Sequence, residues 1–116
     1  MKVLKLNALK KFNTGIYDYS TMQSSFTPVD RKSYPNTLKV TTSSQEWCGH
    51  TFTQLNLKDE NYQVQMNSYF ESEGDEVISL SKVWLENEIW SLIRIDPSLL
   101  PTGNIEIVTD LLFQRF

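Results

Sequence analysis

The stretch YQVQMNSYF, residues 62–70, decides the fold class, because its apolar and polar positions alternate with a period of two. Tyr62, Val64, Met66, Ser68 and Phe70 share one face, and Gln63, Gln65, Asn67 and Tyr69 share the other. An extended chain points successive side chains to opposite faces, whereas a helix repeats about every 3.6 residues. The stretch therefore reads as a half-buried β-strand. The same period recurs upstream. Leu38, Val40 and Thr42 alternate with Lys39 and Thr41, and Phe52 alternates with Thr53 and Leu55. At the start, in VLKLNALKKF, Leu4, Leu6 and Ala8 share a face while Lys5, Asn7 and Lys11 join Val3 and Leu9 on the opposite one. Between residues 16 and 26, Ile16, Met22 and Phe26 oppose Tyr17, Tyr19 and Thr21.

The breaks between these runs are turns. Asn13, Thr14 and Gly15 form a hairpin connection, with Gly15 free to take the positive φ a short loop needs. Residues 28–36 make a polar loop whose Pro35 interrupts any ladder, QEWCG at 45–49 is a bend, and LKDEN at 57–61 is a turn. Long strands in quick succession predict an antiparallel meander, strongly twisted or curling.

Past the acidic turn ESEGDE, residues 71–76, the period changes. Leu85, Ile89, Leu92 and Ile93 form a stripe at i, i+4, i+7 and i+8, which predicts a helix over 82–94 capped by Ser81. Glu86 and Glu88 sit early in it and Arg94 late, as the helix dipole prefers, and Asp96 with Pro97 stops it. Trp84 and Trp90 flank the stripe and are expected to pack onto the sheet. Residues 97–104 form a loop, and 105–116 return to strand character. The expected architecture is α+β, mainly β: one domain over residues 1–116, a curved sheet with an amphipathic helix across it, and an incomplete barrel if flanking sequence carries further strands. The chain starts and stops in strand pattern without polar tails, which points to a piece of a larger protein. The first and last strands are then candidate edges for pairing with a second copy.

Composition narrows the function. The chain is 40% hydrophobic and 22% charged, with 3 Trp, 5 Tyr and 6 Phe, an ordinary balance for a folded domain. Eleven Lys and Arg against 14 Asp and Glu give a net charge of −3, which argues against nucleic acid as a partner. No apolar run reaches the ~20 residues of a membrane helix. Neither standard Gly-rich phosphate loop occurs, and no cofactor is expected.

The only cysteine, Cys48, lies two residues from the only histidine, His50. On a strand such residues point the same way, so a nucleophile and base are conceivable, with Asp18, Tyr19 or Glu46 to orient the ring. Zinc would take four ligands and finds one Cys, one His and carboxylates such as Glu46, too few for a metal site. The simpler reading is a buried thiol and a scaffold histidine in a bend near Gly49. Trp47, Trp84, Trp90 and Tyr19 are the candidate lining of a ligand pocket, since a curved sheet with a helix over it can cup an apolar small molecule.

Four segments, VLKLNALKKFNTGIYDYSTM, LKVTTSSQEWCGHTFTQLN, SYFESEGDE and WLENEIWSLIRIDPSLLPTG, together cover most of the chain. They resemble a family of bacterial envelope-associated proteins of uncharacterised role, longer than this chain and sometimes labelled "septum formation inhibitor". The resemblance implies the middle part of a larger protein in the periplasm or cell envelope, and brings no catalytic residues with it. Two functions follow as expectations: a non-enzymatic β-rich domain with a ligand-binding or structural role, or a hydrolase using Cys48 and His50.

Overall fold

The computed structural model describes residues 1–13, 15, 18–46, 49–68 and 76–111. Six antiparallel strands form one sheet in the order of the chain: β1 (Val3–Asn13), β2 (Asp18–Pro28), β3 (Lys39–Glu46), β4 (Gly49–Lys58), β5 (Asn61–Ser68) and β6 (Glu76–Ser81). The meander is open, with β1 at one edge and β6 at the other. Its turns follow local chemistry. Gly15 takes φ 102° beyond β1, and the Asn13 side chain accepts from the Gly15 N–H and donates to Asp18, both at 2.6 Å.

Period-two alternation places one set of side chains inward. Ser25, Val40, Leu55, Val64 and Ile78 align in one row across β2 to β6, with Thr42, Thr53 and Met66 beside them and Leu57, Tyr62 and Leu80 beyond. Val40, Leu55, Tyr62, Val64 and Met66 are buried and close the core with Leu85 and Leu111 from the C-terminal third. Burying such side chains contributes roughly 1.5–3 kcal/mol apiece, which anchors the cover to β3–β5. β1 lies outside this core: of its eleven residues only Leu4 is even half-buried. The long β1–β2 hairpin helps to set a radius of gyration of 15.2 Å, above the roughly 13 Å of a compact domain this size.

The cover differs from the expected one. The helix α1 is shorter and starts later, Ile89–Ile95, after a 3-10 turn Glu86–Glu88. Ser81 does not cap it; Ser81 ends β6, a strand not expected from the sequence. Leu85 does face the core, but from the two-residue strand β7 (Trp84–Leu85). β7 pairs in parallel with β8 (Ile107–Val108), all that remains of the strand expected over 105–116 among the described residues. The second edge of the main sheet is therefore β6 and not the last strand. Trp90 does not pack down: it is 71% exposed, because α1 buries its Ser91 and Leu92 face and turns Trp90 outward. The predicted stop holds, with Asp96 extended and its carboxylate accepting from Ser98 N–H.

Candidate binding cleft

The cover is fastened to the sheet by three consecutive residues of the 3-10 turn, each pointing a different way. Glu86 accepts the Asp110 N–H at 2.7 Å. Asn87 accepts the Leu111 N–H at 3.1 Å and donates to the Asp110 carboxylate at 3.2 Å. Gln23 on β2 donates to both Asp110 oxygens, at 2.8 and 2.9 Å. Strand, turn and C-terminal segment are thus tied at one polar junction.

Glu88 points inward and is 2% exposed. Its carboxylate accepts from the Thr37 hydroxyl, accepts the Leu85 N–H at 3.2 Å, and lies 3.6 Å from the Arg31 guanidinium. Thr27 donates in turn to Thr37 at 3.2 Å, since the Thr37 proton is committed to Glu88. Arg31 reaches this interior because Asp30 closes the loop on itself, its carboxylate accepting from the Lys32 and Ser33 N–H groups and its carbonyl from Tyr34. Those bonds, with Ser33 foremost, hold the Asp30 carboxyl below its usual range. Burial above all, and then the nearby Glu88 carboxylate, pushes the Tyr62 phenol far above its usual range, against the opposing pull of Asn36 and Arg31.

Beside the polar junction lies a cleft of about 130 Å³. Leu6, Ala8 and Val40 form its sheet wall, Trp90 its outer lip, and Gln23, Asn87 and Asp110 its polar side. Ser25 also lines it, 4% exposed and with no protein partner for its hydroxyl. A buried hydroxyl left unsatisfied costs about 1–3 kcal/mol, so this oxygen is available to a bound group. An apolar cavity of roughly 150 Å³ admits benzene, so the cleft matches one six-membered ring.

The expected pocket residues are distributed differently. Trp90 belongs to this cleft, Tyr19 stacks on Phe12 at 5.0 Å over a separate hollow at the hairpin tip, and Trp84 lines a third hollow with Pro35 and Asn36. Trp47 and Cys48 fall outside the described residues, as do residues 71–75 of the acidic turn. His50 is exposed on the outer face opposite Gln45, whereas Tyr19 and Glu46 belong to the inner face. Period two thus separates the ring from two of its three candidate orienters; the third, Asp18, is bonded to Asn13. Gly49 opens β4 opposite Glu46. Among the described residues no cluster of His, Cys, Asp and Glu could hold a metal, and no helix is long and apolar enough to cross a membrane. Ser25 and the Glu86–Asn87–Asp110 junction were not singled out by sequence, since their partners lie far along the chain. No protein-family model, curated protein or solved structure matches the chain.

Proposed function

We propose that this is a non-enzymatic binding domain whose ligand is a small amphipathic molecule held in the Trp90 cleft. The observation that carries the reading is the Ser25 hydroxyl, buried without a protein partner between the apolar wall of Leu6, Ala8, Val40 and the exposed Trp90 ring and the polar side of Gln23, Asn87 and Asp110. A ring of the ligand stacks between Trp90 and the sheet, and its polar end bonds Ser25. Over β3–β5 the inner face is filled by core side chains under Leu85 and Leu111, which makes the β1–β2 side the accommodating one. Placement at the bacterial cell envelope belongs to the same proposal and is supported by the four resembling segments.

Titration of the ¹⁵N-labelled protein with benzyl alcohol, a one-ring alcohol, tests it. Saturable shifts should appear at Ser25 and Trp90, and Trp90→Ala should weaken binding roughly tenfold, the worth of one aromatic contact. Equal affinity in that variant would refute the site, and the 71% exposure of Trp90 ensures that the fold survives the change.

A further inference from the structure

The side of the six-stranded sheet turned away from α1 carries a charge pattern opposite to that of the whole molecule. The chain has a net charge of −3, yet the strand residues of this outer face include Lys5, Lys11, Lys39, Lys58 and His50. Its one carboxylate among the described strand residues is Asp18 at the hairpin tip, already bonded to Asn13. Neither Lys82–Glu60 nor Arg31–Glu88, the ion pairs among the described residues, involves this face.

The register orders these groups. One row crosses all six strands as Lys5, Phe26, Lys39, Asn56, Gln63 and Ser79. The next reads Asn7, Ser24, Thr41, Gln54, Gln65 and Val77. Lys5 and Lys39 hold their ammonium groups over the same Phe26 ring, 5.4 and 5.9 Å from its centroid. Two like charges are thereby kept together with no carboxylate between them. At its far end the row runs into a shallow hollow lined by Lys58, Asn61, Gln63 and Ser79.

We infer that this face docks an acidic polysaccharide lying across the strands. Neighbouring strands are about 4.8 Å apart, so a chain in that direction meets a new side chain at a spacing comparable to one hexose unit. Lysines pair with its carboxylates, amides and hydroxyls with its hydroxyl groups, and the Phe52 ring offers a surface for a sugar C–H face. A nucleic acid carries more charge than a few lysines on an acidic protein neutralise. The exposed apolar side chains of this face, Leu9 with Met22 near one edge and Val77 at the other, are separated by amides and hydroxyls and form no continuous patch for a bilayer. The inference is independent of the Trp90 cleft, which opens on the opposite side of the sheet.

Affinity electrophoresis through gels containing polygalacturonate tests it, with dextran, phosphatidylglycerol vesicles in flotation and oligothymidylate in filter binding as comparisons. The full chain should be retarded by polygalacturonate and not by dextran, and less so as salt screens the contacts. Lys5→Gln with Lys39→Gln should weaken binding roughly tenfold, the size of two exposed ionic contacts, while Trp90→Ala leaves it unchanged. Absence of retardation, equal retardation of the lysine variant with an unaltered melting curve, or stronger binding to vesicles or oligothymidylate would each overturn the inference.

Discussion

Glu88 shows how one residue can look ordinary in the sequence and act otherwise in the fold. Two acids near a helix start suit the dipole, and Glu86 does remain at the surface. Glu88 instead enters the interior, because a 3-10 turn rather than an α-helical one sets its direction, and Arg31 and Thr37 meet it from a loop more than fifty positions away. Partners so distant leave no local signature. Removing one member of a buried pair strands the other, so Glu88→Ala should lower stability by about 3 kcal/mol in urea unfolding with an unchanged m-value. Glu88→Leu combined with Arg31→Met should recover most of that loss.

Tyr62 adds a pH dependence of definite sign. Its folded phenol titrates above the unfolded value of about 10, so the proton is held more tightly in the folded chain. That preference contributes fully below about pH 10 and is lost as the pH rises toward the folded value. Between about pH 9 and pH 11.5 the wild-type melting temperature should therefore fall further than that of Tyr62→Phe. Parallel curves would show that the phenol is not the responsible group.

At the scale of elements, β3 to β5 were legible because their inward positions alternate with polar ones, and β1 and β2 as strands but not as faces: β1 carries Val3 and Leu9 beside its lysines, and β2 turns Thr21, Gln23, Ser25 and Thr27 inward while Met22 and Phe26 face out. β6 was not: Ile78 and Leu80 alternate with Ser79 and Ser81, but Val77 blurs the pattern and Ser81 resembles a helix cap. The stripe from Leu85 to Ile93 misled in the other direction, since Leu85 reaches the core through a strand. Edge strand β1 raises a question of association. It is long and exposed, with Leu9 68% exposed, but its lysines oppose pairing. Antiparallel self-pairing centred on Ala8 would set Lys5 against Lys11; centred on Asn7 it sets Lys5 against Leu9 and Leu6 against Ala8. Sedimentation should show a dimer of the second register that strengthens with salt, and Leu9→Lys should abolish it by placing charge opposite Lys5. A species insensitive to both changes would point to another contact.

For the whole molecule, the sheet is solid where the cover reaches it and open where it does not. Core packing over β3–β5 follows from the alternating apolar residues, and that much could be read in the chain. The site could not, because the cleft exists only where Gln23, Asn87 and Asp110 bring three remote segments together and leave Trp90 standing over Leu6 and Ala8. The most direct test is the set of intermolecular nuclear Overhauser contacts from the ring protons of bound benzyl alcohol. Contacts to the methyl groups of Leu6, Ala8 and Val40 and to the Trp90 indole are predicted. Contacts instead to Leu55, Val64, Leu85 and Leu111 would mean that the ligand enters the core and that the cleft is not the site.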